Sequence, residues 1–292
     1  MRLLWSGKWA VFTPAGLVYA VWKFMPFFRC YQQQDAQEFF TSLLDCLHEE
    51  LRRGGVLPVD GGASTLLAPQ GSPMLPDTLF GSTQTLLTCS KCKRASPKVE
   101  NFTCLSVDVD VDGAFRDEDG PMSLLPPGVR LPRTGSCDLH DSLRKLTAVE
   151  ILDGDERYFC DHCNTKRRAS RRTLVHSLPR VFVIHVNRAR WLLHGKKEKL
   201  QQHVAFPLLE HLDMTPYATG ADSAPHGNRM YDLASVVCHH GRGIDTGHYT
   251  AFCRDSERDV WLFYNDDKVR VANVTEVAAS QAYLLFYTLQ EA

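Results

Sequence analysis

Two cysteine pairs with the same spacing, Cys89-Ser-Lys-Cys92 and Cys160-Asp-His-Cys163, constrain this chain more than any other feature in it. With two residues between ligands, a tight turn aims both sulfurs at one point, and two such knuckles supply the four thiolates of a tetrahedral zinc shell. The chain between them must leave the metal and return to it, which strands accomplish. A closed four-sulfur shell has no position for water, so the expected zinc is structural and its binding energy is folding energy. Any one cysteine alone is more simply read as a small buried apolar residue. A redox reading is weaker, because neither pair opens a helix after a strand. Cys30, Cys46, Cys104, Cys137, Cys238 and Cys253 fall outside the knuckles and are read mostly as packing residues.

The N-terminus bears on whether those thiols stay reduced. MRLLWSGKWAVF is broken by Arg2, Gly7 and Lys8, and it lacks the continuous apolar run and cleavage site of a signal peptide. Without an export signal, ten cysteines are better read as thiols or metal ligands than as disulfides, and nucleus or cytoplasm is the expected location. The apolar stretch from Pro14 to Met25 is too short to cross a bilayer and carries Lys23, so no membrane partner is expected. Lys+Arg (33) and Asp+Glu (34) nearly cancel, leaving no overall positive field for nucleic acid. With 292 residues, 44% of them hydrophobic, the chain suffices for one large domain or two small ones.

Helices come first. Thr13-Pro14 is a helix start followed by apolar residues at helical spacing, and Pro26 should end that helix. Asp35 caps a second helix running to about Arg52, with Phe39, Phe40, Leu43, Leu47 and Leu51 on one face. Gly54 to Asp77 and Gly113 to Gly135 are rich in glycine, proline and serine and are expected to be mobile surface insertions. Between them, Leu105, Val107, Val109 and Val111 alternate with polar residues as in a half-buried strand. Further strand-like runs cover Leu174–Val186, Leu233–Cys238, Tyr249–Cys253, Trp261–Tyr264 and Ala282–Tyr287. Helices followed by antiparallel-looking strands, with no regular alternation, place the chain in the α+β class.

His248 opens one of those strands and Asn265-Asp266-Asp267 closes the next. If the two strands are adjacent, Asn265 can bond one nitrogen of His248 and leave the other to take a proton from a thiol, the arrangement of cysteine-nucleophile acyl transfer. Taken singly, a histidine on a strand is more often structural and Asn-Asp-Asp more often a turn.

The segments Gln33-Gln34-Asp35-Ala36-Gln37-Glu38-Phe39, the two knuckles, Leu178–His185, Gly247–Phe252, Tyr264-Asn265-Asp266 and Ala282–Tyr287, in this order, resemble the ubiquitin-specific protease family. Leu4–Trp9 is similar to a zinc-finger-bearing, largely nuclear branch of it. The resemblance implies a papain-like cysteine protease hand, with thumb helices, palm and finger strands and a structural zinc ribbon. It implies one domain over 1–292, incomplete at the N-terminus: thumb in 1–53, zinc fingers in 80–175 with the insertion at 113–135, and palm in 176–292. It makes His248 the general base, Asn265 its orienting partner and Asp266 a support. Gln33, Asp35 and Tyr249 would line the channel for ubiquitin's C-terminal tail, and Cys89, Cys92, Cys160 and Cys163 would hold the zinc.

The family's nucleophile lies in a Gly-Asn-Thr-Cys-type box well before the Gln-Gln-Asp segment, and no cysteine here follows Gly-Asn-Thr. Cys104 and Cys30 are poor substitutes. The resemblance therefore implies a thiol-dependent deubiquitinase whose complete form cleaves isopeptide bonds at ubiquitin's last glycine, while these residues alone should be nearly inert and leave apolar surface open on thumb and palm. The alternative is a non-catalytic ubiquitin-binding pseudoenzyme. Ubiquitin and ubiquitinated proteins are the expected partners under both, and a zinc-ribbon nucleic-acid binder is disfavoured because it would leave the histidine segment unexplained.

Overall fold

The computed structural model describes residues 13–29, 33–52, 78–109, 137–192, 195, 197–220, 227–244 and 246–290. Gly54–Asp77, Gly113–Gly135, Leu4–Trp9 and Cys30 lie outside these. Apolar–polar alternation makes strand the commonest regular structure among the described residues. The larger sheet has eight strands, with Lys268–Ala272 at one edge, then Val260–Asn265, His248–Asp255, Met230–His240, Ala282–Leu289 and Val181–Asn187, and Leu105–Asp108 at the other edge; Leu212–Asp213 adds to Met230–His240. Its ladders are antiparallel except that Leu105–Asp108 runs parallel to Val181–Asn187.

One face of this sheet is the core. Phe182, Ile184, Val186, Leu233, Val236, Leu285 and Tyr287 pack there with Leu139 and Leu143 of a short helix, each buried side chain contributing about 1.5–3 kcal/mol. The other face meets the second of two N-terminal helices. The first, α1 (Ala15–Phe24), starts with Pro14 at the capping position and without the side-chain cap expected from Thr13. It stops before Pro26, which opens a single 3₁₀ turn through Arg29. None of its residues is buried, and Leu17 and Tyr19 are 56% and 68% exposed. The second, α2 (Ala36–Arg52), begins as expected, since Asp35 Oδ1 accepts the backbone N–H groups of Gln37 (2.7 Å) and Glu38 (3.1 Å). The Phe40 ring sits edge-on to Phe286 of the sheet at 5.3 Å, and Phe39 holds Phe28 at the same distance.

A second sheet of four strands stands off the first, in the order Ala95–Phe102, Gly81–Cys89, Ala169–Ser177, Glu150–Leu152. Its outer strand, Ala95–Phe102, is exposed along nearly its whole length. The hairpin Tyr158–Cys160 with Thr165–Arg167 lies close by.

The continuous strand read for Leu174–Val186 is two strands in two sheets, Ala169–Ser177 and Val181–Asn187. Pro179 lies in the break, where a residue without an N–H cannot continue a central ladder. Leu105–Asp108, inside the stretch expected to form the fingers, joins the larger sheet. The helix α3 (Leu139–Thr147), absent from the sequence reading, is closed by a capping box between Asp138 and Asp141. Aspartate in place of the usual glutamate three residues on, and only nine residues of length, hid it. Among the described residues, no helix is long and apolar enough to cross a membrane.

Candidate active site and metal centre

The strands His248–Asp255 and Val260–Asn265 pair antiparallel, with Ala251 opposite Tyr264. That register brings the start of one beside the end of the other, so His248 and Asn265 are neighbours. His248 Nε2 lies 2.7 Å from Asn265 Oδ1. A carbonyl oxygen only accepts, so Nε2 carries the proton and Nδ1 holds the free lone pair. Among the described residues Nδ1 has no hydrogen-bond partner, and the side chain is 46% exposed. Asp266 Oδ2 stands 3.8 Å from Nε2. Its left-handed backbone (φ 52) closes the two-residue turn between Asn265 and Lys268, which aspartate tolerates. Asp266 thus sets the turn that fixes Asn265, and its charge lies just beyond contact with the ring.

The residue before His248 is gripped by Gln33. Gln33 Nε2 donates to the Gly247 carbonyl at 2.5 Å, and Gly247 N–H donates to Gln33 Oε1. A Cβ on Gly247 would overlap the His240 carbonyl and the His239 ring, so only glycine fits. Tyr249 OH accepts the Ala36 N–H at 3.3 Å, and the Tyr283 hydroxyl donates to Asp35 Oδ2. The His239 ring stacks on Tyr249 at 4.6 Å, and the His185 ring meets Tyr283 edge-on at 4.8 Å. The structure therefore brings Gln33, Asp35, Tyr249, His248, Asn265 and Asp266 into two neighbouring contact groups where the α2 N-terminus meets the sheet. Tyr283, His239 and His185 join the second group; none carries a motif by itself, although Tyr283 and His185 lie inside segments with the family's pattern.

An imidazole in this arrangement could activate a thiol. Among the described residues none is within hydrogen-bond reach of His248. Burial pushes the Cys104 thiol up to about 12, with the Asp35 carboxylate adding to the shift, so it stays protonated and unreactive near neutral pH.

The four knuckle sulfurs lie within 4.8 Å of one another, with Cys92 and Cys160 at 3.7 Å. Tetrahedral Zn–S bonds of about 2.3 Å would set sulfurs about 3.8 Å apart. Cys89 ends the strand Gly81–Cys89 and Cys160 ends Tyr158–Cys160, and both are buried. Each knuckle is followed by a residue in the left-handed region, Lys93 (φ 60) and Asn164 (φ 50), which turns the chain back around the sulfurs. Backbone N–H groups, first that of Cys92, hold the Cys89 thiol down to about 6, while burial raises Cys163. Four soft donors at these distances fit zinc, and no open coordination position remains for chemistry.

An α+β hand with an amide-oriented histidine at the junction of helices and sheet, and a four-cysteine ribbon on a projecting sheet, defines a papain-like cysteine-protease scaffold. The family model for ubiquitin carboxyl-terminal hydrolase matches residues 2–287, and the chain belongs to that family. It is 36% identical over 305 residues to ubiquitin carboxyl-terminal hydrolase 44 of Danio rerio, covering 99% of this chain and 42% of that protein. It is 36% identical over 306 residues to ubiquitin carboxyl-terminal hydrolase 3 of Homo sapiens, covering 99% and 55%. The chain thus spans about half the length of these relatives. A similar solved structure is the SAGA Ubp8/Sgf11/Sus1/Sgf73 DUB module bound to ubiquitin aldehyde, with TM-score 0.70 and 26% identity over 95% of this chain and 55% of that one.

Proposed function

We propose that these residues are the ubiquitin-binding and general-base part of a thiol-dependent deubiquitinase, which hydrolyses the isopeptide bond after ubiquitin's terminal glycine once a thiol is presented to His248. The reading rests on the 2.7 Å contact of His248 Nε2 with Asn265, which leaves Nδ1 as the lone acceptor at the junction of helix and sheet. In it, Nδ1 takes the thiol proton, the thiolate attacks the carbonyl carbon of the tail's last glycine, and the protonated ring returns the proton to the amine as the C–N bond breaks. A water that gives its proton to Nδ1 then hydrolyses the thioester, the ring returning that proton to the thiol. Asp35, Gln33 and Tyr249 then face the ubiquitin tail. The family fits this reading, as does the ubiquitin aldehyde complex of the similar module. Zinc held by Cys89, Cys92, Cys160 and Cys163 stiffens the finger sheet and takes no part in the reaction.

A second reading is a ubiquitin binder that does not cut, favoured by the raised Cys104 thiol beside Asp35. One pair of assays separates the two. The purified chain is titrated with ubiquitin and with ubiquitin lacking its terminal Gly-Gly, and turnover of a fluorogenic ubiquitin C-terminal amide is followed alongside. Tail-dependent binding is expected, weakened at least about tenfold by the deletion, a loss of about 1.4 kcal/mol. Turnover by the chain joined to a Gly-Asn-Thr-Cys-bearing N-terminal segment of a family member, abolished by His248→Ala, assigns catalysis, binding without turnover in that fusion assigns the second reading, and no binding overturns both.

A further inference from the structure

Lys199 is 6% exposed and ends the short strand Lys197–Lys199. Its ammonium donates to two backbone carbonyls, those of His239 (2.8 Å) and Gly241 (2.9 Å). Among the described residues no carboxylate pairs with it, and the like charge of Arg188 acts on it. A buried ammonium without a counterion is costly, and an apolar residue of the same length would fill the space without that cost. What the cation does is therefore to be sought at the carbonyls it holds.

Those carbonyls belong to the exit of the strand Met230–His240, where the chain turns toward His248. Gly241 is at φ +129, and a Cβ there would meet the Thr246 carbonyl at 2.7 Å and the Gly247 Cα at 3.0 Å. The two ends of the connection are thus in backbone contact. Gly247 in turn abuts His239 and His240 and is held on its outer side by Gln33. The contact path from the ammonium to the base runs Lys199, Gly241, Gly247, His248, with Gln33 closing it from the helix side.

We propose that Lys199 is a positioning residue for the catalytic base: by tying the His239 and Gly241 carbonyls together it fixes the turn that aims the His248 ring at Asn265, and its loss frees the ring without unfolding the sheet. The proposal rests on His248 being the base but is read out on the ring itself. Since Nε2 is the protonated nitrogen when bonded to Asn265, long-range 1H–15N spectra of the neutral ring should show the Nε2–H tautomer alone in the wild-type chain. Lys199→Met, apolar and of matching length, is expected to give a tautomer mixture. Gly247 and Gly241 amide exchange should rise at least tenfold, with exchange in the core strands Val181–Asn187 and Ala282–Leu289 unchanged. Lys199→Arg, which keeps the charge and the donors, should restore the single tautomer. If Lys199→Met does not fold, Lys199→Gln, a shorter neutral donor unable to reach both carbonyls, is measured with the same expectations. A single tautomer with unchanged loop exchange in a folded neutral variant overturns the proposal. Loss of ubiquitin binding in the wild-type chain, with the tautomer response intact, would overturn the proposed function and leave the positioning role standing.

Discussion

Asp35 divides its two oxygens between two elements: Oδ1 holds the first turn of α2 and Oδ2 receives the Tyr283 hydroxyl from the sheet. Burial and the adjacent Asp35 raise the Tyr283 phenol, so at neutral pH it donates and the carboxylate accepts. The Asp35 carboxylate is in this way aligned by a residue on the opposite wall. Tyr283→Phe removes the donor and leaves the ring, and it is expected to cost about 1–3 kcal/mol because the abandoned acceptor is charged. Urea unfolding monitored by tryptophan fluorescence measures this, and an unchanged midpoint would reduce the bond to a bystander. His248 and Asn265 were legible in the sequence because each sits in a short motif at a strand end, and strand pairing does the rest. Tyr283 and Lys199 were not, since their partners lie 248 and 40 residues away in sequence and only the fold brings them together.

At the scale of elements, the two knuckles could be read from spacing because both turns are local. Which sheet each neighbouring strand enters could not. Leu105–Asp108 alternates like any half-buried strand, and nothing local tells a parallel partner from an antiparallel one. Pro179 was the available signal that one apolar run serves two sheets. The finger sheet contributes little to the central core, so its tip should depend on the metal. Chelation of a zinc-loaded sample is expected to raise amide exchange at Cys89–Lys93 and Tyr158–Arg167 while Val181–Asn187 and Met230–His240 keep their protection. Equal loss of protection in both sheets would instead make the ribbon a keystone of the whole fold.

Across the whole molecule, three histidines far apart in sequence respond to acid together. Burial lowers His140, His185 and His203 below their ordinary 6.5. The unfolded chain then binds more protons than the folded one as pH falls below 6.5, so their contribution is present above that value and is lost as pH drops through the folded-state pKa values. Asp138, raised by burial, acts in the opposite sense but lower, in the carboxylate range. The urea midpoint should therefore fall steadily from about pH 7 to about pH 5, and a flat profile would show that these rings are neutral for no energetic reason.

The outer strand of the finger sheet has a further consequence. A four-stranded sheet held out in solvent with its last strand bare invites a second copy to add to it. Along Ala95–Phe102, however, Pro97 has no N–H to offer and Lys98 and Glu100 present charge, already paired with each other at 2.7 Å. An incoming strand would lose a ladder bond at the proline and have to strip water from both charges. The exposed edge is thereby guarded against fibre-like growth, which lets the fingers project without a covering layer.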